Sequence, residues 1–120
     1  MKQLEHTEQV SLMQWWQLAC HGFGVPEPLL FAIPNGGQRN VIVASKLKAE
    51  GVRAGVPDLF LAVARHGGHG LFIEMKKAKG GQTSDKQDAM IAALDAQGYY
   101  TVVSHGWESA KRSIESYLRG

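Results

Sequence analysis

One segment constrains this chain more than any other. Gly55-Val56-Pro57-Asp58-Leu59-Phe60-Leu61-Ala62-Val63 is followed by Arg65-His66-Gly67-Gly68-His69-Gly70, and then by Leu71-Phe72-Ile73-Glu74-Met75-Lys76-Lys77. Two apolar runs rich in branched and aromatic residues, split by glycines, predict a β-hairpin. Antiparallel pairing sets the start of the first strand beside the end of the second. Asp58 opens the first run, and Glu74 and Lys76 close the second. Residues two apart on a strand share a face. Asp58, Glu74 and Lys76 are therefore expected to converge on one patch at one end of the hairpin.

A chain of 120 residues, 44% of them apolar and 20% charged, can build one folded domain with a real core, expected to span residues 1–120. No apolar run nears the roughly 20 residues that cross a bilayer, and the start Met1-Lys2-Gln3-Leu4-Glu5-His6 lacks the apolar stretch of a secretory leader. The expectation is a cytoplasmic protein without a membrane partner. The lone Cys20 falls in a helical pattern and reads as a packed thiol. The net charge of +2 and the pI near 8.8 are only mildly basic, but the distribution says more. Arg39, Lys46, Lys48, Arg53, Lys76, Lys77, Lys79 and Lys86 occupy the middle of the chain. A basic middle around an acidic patch suits a polyanionic partner.

The remaining elements alternate. Thr7–Ala19 predicts a helix with Thr7 as N-cap and Leu12, Trp15, Trp16 and Ala19 on its apolar face. Glu5 and Glu8 lie on or near that stripe, either solvated near the positive end of the helix or turned into a site. Leu29–Ile33 predicts a buried strand ending at the turn Pro34-Asn35-Gly36-Gly37, whose backbone could approach a ligand. Val41–Glu50 fits a helix with Val41, Ala44 and Leu47 in step. Ser84-Asp85-Lys86-Gln87 matches a capping box, which accounts for Gln87 structurally. The helix it opens reaches about Gln97, with Ala89, Ile91, Ala92 and Leu94 inward. Tyr99–Val103 predicts a strand, and Glu108–Leu118 a closing helix with Ala110, Ile114 and Leu118 inward. Such an order gives an α/β fold, a mixed central sheet flanked by helices, with the last strand added in parallel.

Asp58 and Glu74 supply hard oxygen ligands suited to Mg²⁺ or Mn²⁺. A cation so held polarises a phosphate oxygen and acidifies bound water, while Lys76 can orient or deprotonate that water or neutralise transition-state charge. A Glu-x-Lys pair also arises as an ordinary surface ion pair. Here, though, the carboxylate follows Leu71-Phe72-Ile73, where a buried charge needs a reason.

Val56-Pro57-Asp58 followed by Ile73-Glu74-Met75-Lys76 resembles the signature of the PD-(D/E)xK nucleases. The series Pro34–Gly37, Lys46–Gly51, Gly55–Leu59, Leu71–Lys76 and Ser84–Gln87 resembles their VRR-NUC branch, across nearly the whole chain. The resemblance implies a restriction-endonuclease-like core with the hairpin central, and metal-dependent hydrolysis of DNA. It implies Asp58 and Glu74 as metal ligands with the backbone carbonyl of Met75, Lys76 as the catalytic lysine, and a supporting role for Gln87. It also implies a glutamate from the first helix. Glu5 and Glu8 both match, and Glu8 is preferred because it shares a face with Leu12 and Trp15. Asn35, Lys46, Lys48, Arg53 and Lys77 would contact the nucleic-acid backbone. Stand-alone members of the kind phages and bacteria encode resemble Holliday junction resolvases and tend to form homodimers, which suits a four-way junction. The competing expectation is a nucleic-acid-binding or assembly module that keeps the nuclease fold with little activity of its own.

Overall fold

The computed structural model describes residues 3–34 and 41–120. The turn Asn35-Gly36-Gly37, and with it the expected contact at Asn35, lies outside the described residues, as does Arg39. The described elements run α1 (Gln3–Ala19), two 3₁₀ turns (Cys20–Phe23 and Glu27–Leu29), β1 (Leu30–Ala32), α2 (Val41–Ala49), β2 (Leu59–Leu61), β3 (Leu71–Lys76), α3 (Asp85–Ala96), β4 (Tyr100–His105) and α4 (Trp107–Arg119).

These strands form one mixed sheet in the order β1-β2-β3-β4. The first two pairings are antiparallel, and β4 adds to β3 in parallel. The expected hairpin is therefore present at the centre of the sheet. Its tight turn is closed by reciprocal Arg65–Gly68 backbone bonds of 3.2 and 2.8 Å. His66 and Gly67 both take positive φ, 52° and 79°, as a two-residue turn matched to strand twist requires. β2 starts only after Pro57, which has no N–H to give to a ladder.

Strand alternation separates two faces. Leu59, Leu61, Leu71, Ile73 and Met75 are fully or almost fully buried, and they join Leu12, Trp16 and Cys20 of the N-terminal helical segment and Ala110, Ile114, Tyr117 and Leu118 of α4 in one core. Trp16 Nε1 donates to Glu27 O over 2.8 Å, so the buried indole is satisfied. α3 lies on the opposite face, where Phe60, Phe72, Glu74 and Lys76 point.

Several local expectations change. α1 begins at Gln3, a turn before Thr7, so Thr7 lies inside the helix and cannot be its N-cap. On α3 the inward stripe is Gln87, Met90, Ile91 and Leu94, while Ala89 and Ala92 are exposed. Positions 87, 90, 91 and 94 fall on one helix face at steps of three and four, and Ala89 and Ala92 lie off it. α2 forms where expected, yet none of its residues is buried, and Val41 and Ile42 are 80% and 69% exposed. Among the described residues no helix is long and apolar enough to cross a membrane.

Candidate active site

The register fixes the site. Leu59 pairs with Ile73, so one step back along β2 sets Asp58 opposite Glu74. Asp58 is held by its own backbone, since its carbonyl accepts from Ile33 N over 2.8 Å. Its side chain is held too: Oδ2 accepts from Met75 N over 2.7 Å. The loop before it packs against the first turn of α3. A Cβ on Gly55, which has φ +90°, would lie 2.6 Å from Lys86 O, so this close approach demands glycine.

Glu74 is 3% exposed and Lys76 9%, so both charges are withdrawn from water. Gln87 holds them together. Its Nε2 donates to Glu74 Oε2 over 3.0 Å, and its Oε1 accepts from Lys76 Nζ over 3.2 Å. The same Oε1 accepts from Ser84 N over 2.9 Å, while Ser84 Oγ accepts from Gln87 N over 3.2 Å, completing the capping box. One amide thus starts α3 and orders the site beneath it. Lys76 Nζ stands 3.6 Å from Glu74 Oε2.

The electrostatics follow from this crowding. Burial is the main force driving Glu74 up to about 8, and the neighbouring Asp58 charge and hydrogen bond drive it the same way. Burial also raises Asp58, against the lowering effect of the Met75 amide. The shared hydrogen bond favours Asp58 as the anion and Glu74 as the proton holder. Lys76 lies close enough to favour both anions but does not overcome desolvation. Two carboxyls in contact, both pressed toward their neutral forms, are relieved when a hard divalent cation takes the place of the shared proton. The donor chemistry of Asp58 and Glu74 therefore fits such a cation. Among the described residues no group of three or more His, Cys, Asp or Glu side chains gathers at ligand spacing, so any further donor is a backbone carbonyl such as that of Met75, a more distant acid, or water.

The two glutamates of α1 take different places. Glu8 Oε1 accepts from Trp107 N over 2.8 Å, capping α4, where Gly106 has no side chain for the purpose. Glu5, one turn earlier, is the acid of α1 whose charge reaches Asp58 and helps raise it. The capping role of Glu8 links residues 99 positions apart and leaves no local signal. Of the residues expected to contact the nucleic-acid backbone, Lys46 and Lys48 stand exposed on α2, Arg53 is exposed in the loop before Asp58, and Lys77 is half-buried; none of these four forms an ion pair among the described residues.

The family model for the VRR-NUC domain matches residues 4–108. Among solved structures, one described as a VRR_NUC domain protein superposes with a TM-score of 0.83 at 29% identity, covering 99% of this chain and 91% of that one. No curated protein matches the sequence.

Proposed function

We propose that this chain, which belongs to the VRR-NUC domain family, is a metal-dependent DNA endonuclease acting on branched substrates such as four-way junctions, as a homodimer. The observation that carries the reading is the contact of Asp58 with Glu74 beneath Lys76, with Gln87 tying the last two together. A buried Glu74 beside a half-buried Asp58, both pushed toward the neutral form, is costly to stability and is best explained by what it binds.

Mg²⁺ or Mn²⁺ held at Asp58 and Glu74 would supply Lewis-acid polarisation of a phosphate oxygen and acidification of water. The protein's own groups do the rest. Lys76 presents an ammonium beside the carboxylates, where it neutralises charge growing on the phosphate or orients the attacking water. Gln87 fixes the Lys76 and Glu74 side chains in one geometry, which lowers the reorganisation needed during reaction. Glu5 is placed to add negative charge toward Asp58, and we assign to it, rather than Glu8, the helix-borne supporting acid. Lys46, Lys48, Arg53 and Lys77 hold phosphates and read no bases.

The experiment is cleavage of a labelled four-way junction and a matched linear duplex with Mg²⁺ or Mn²⁺, comparing the protein with Glu74→Ala. Metal-dependent cutting of the junction should fall by about a hundredfold or more in the variant. Equal cutting of both substrates removes the junction preference and leaves the nuclease. Absent cutting with DNA binding intact replaces this reading with a binding module. Sedimentation equilibrium of the free protein tests the homodimer.

A further inference from the structure

The sheet face that carries Glu74 and Lys76 also carries an aromatic row. Phe31 of β1, Phe60 of β2 and Phe72 of β3 sit opposite one another in the register. Their rings touch in sequence: Phe31–Phe60 at 5.8 Å edge-on, then Phe60–Phe72 at 4.3 Å and 28°, stacked. Tyr99, just before β4, meets Phe72 at 5.4 Å and Phe60 at 5.9 Å, and His69 meets Tyr99 at 5.6 Å. The row thus crosses the width of the sheet.

This row is not part of the core. The alternate residues Leu59, Leu61, Leu71 and Ile73 are at most 2% exposed, whereas Phe31 is 43% exposed and Phe60, Phe72 and Tyr99 are each only half-buried. None of the four rings belongs to the buried cluster beneath α1 and α4. An aromatic row outside the core, partly exposed along its length and 43% exposed at Phe31, offers a contact site.

Its position says what it contacts. Phe60 lies two residues from Asp58 along one strand, and Phe72 two residues from Glu74 along the next. The Cα atoms of each ring residue and its carboxylate residue are therefore about 7 Å apart, with the side chains on the same face. A phosphate at Asp58–Glu74 would set the base of an adjoining nucleotide over the Phe60–Phe72 pair. In a duplex the base faces are stacked and paired. Only an unpaired nucleotide offers its face to a ring. We infer that the Phe31–Phe60–Phe72–Tyr99 surface is a stacking platform for unpaired nucleotides flanking the cleaved phosphate, so that the substrate presents single-stranded bases there. This rests on the nuclease reading for the place of the phosphate.

The test measures binding by anisotropy in a Glu74→Gln background, which prevents cutting. The probes are a labelled thymidylate 12-mer and the same strand with abasic sites at its centre. The thymidylate strand should bind about tenfold more tightly than the abasic one, stacking on an aromatic ring being the difference. Phe31→Ala, which truncates an exposed ring and leaves the core intact, should shrink that preference several-fold, and Phe31→Trp should restore it. An abasic strand that binds as well as the thymidylate overturns the inference, as does a preference that survives Phe31→Ala. Loss of self-association in Phe31→Ala with the base preference unchanged also overturns it, and makes the face a protein interface. Cleavage of the thymidylate strand by the unsubstituted protein with Mn²⁺ is scored separately. Cleavage without base preference removes the platform alone. Base preference without cleavage keeps the platform and removes the nuclease reading.

Discussion

Gln87 donates to Glu74 over 3.0 Å with the amide whose oxygen accepts from Lys76. Because the same oxygen also closes the capping box of α3, helix start and site geometry are one structure. Ser84 takes part in the cap and not in the site, so the two roles can be separated. Ser84→Ala should cost about 1 kcal/mol of stability and leave the cleavage rate near that of the parent. Gln87→Ala should cost a similar amount and also lower the rate about tenfold or more, by loosening Lys76 and Glu74. Urea midpoints and single-turnover rates on one substrate distinguish the outcomes. Equal rate losses in both variants would make Gln87 a cap only.

The raised acids predict a pH dependence of the metal-free protein. Glu74 stands near 8 in the folded state against 4.5 as a free group. Between those values the folded state binds more protons than the unfolded one, so stability is full below about pH 4.5 and falls as pH rises toward 8. The slope contributed by one such group is at most about 1.4 kcal/mol per pH unit. Urea unfolding in chelator at several pH values should show this fall, and Glu74→Gln should flatten it. Mn²⁺ should flatten it too, since a cation replaces the proton, and Mn²⁺ affinity should rise with pH over the same window. A metal-free stability that rises between pH 5 and 8 by Glu74 titration would contradict the arrangement.

The division of labour on α1 is open to direct comparison. Glu8→Ala removes the acceptor for Trp107 N and should destabilise the protein by about 1–2 kcal/mol, with Glu8→Gln recovering part of the loss. Glu5→Ala removes a like charge near Asp58 and should leave stability unchanged or slightly higher, while weakening Mn²⁺ binding. Calorimetric titration with Mn²⁺ and urea midpoints for each variant decide it. The reverse pattern would return the supporting role to Glu8.

Phosphate contacts announce themselves through salt. Lys46→Ala, Lys48→Ala and Arg53→Ala should each weaken DNA binding about equally for any sequence, and each should reduce the slope of log affinity against log salt by about one. All three side chains are exposed, so the fold should not change. An unchanged slope in any variant removes that residue from the interface.

Gly55→Ala should be among the most damaging small substitutions. The added methyl meets Lys86 O at 2.6 Å on backbone at φ +90°, so either the loop before Asp58 or the start of α3 must move. A loss of about 2 kcal/mol or more is expected, with activity falling further than stability alone explains. Thermal unfolding together with cleavage rates provides the check.

The central hairpin, the meeting of Asp58, Glu74 and Lys76, and the capping box at Ser84–Gln87 could all be read along the chain. Each depends on short-range geometry: a strand period of two, antiparallel pairing across a glycine turn, and a helix start that spans four residues. The parallel addition of β4 followed from the alternation of elements. Tertiary packing alone settled what depends on how distant elements meet. Glu5 and Glu8 share one stripe of α1, and only the seat of Trp107 N above Glu8 leaves Glu5 as the α1 acid whose charge reaches Asp58. The spacing of Val41, Ala44 and Leu47 fits a helix, yet no residue of α2 is buried among the described elements. The elevation of Glu74 and the partly exposed row of rings beyond it come from burial and cross-strand register, which join residues far apart in the chain and leave no mark in any short stretch of it.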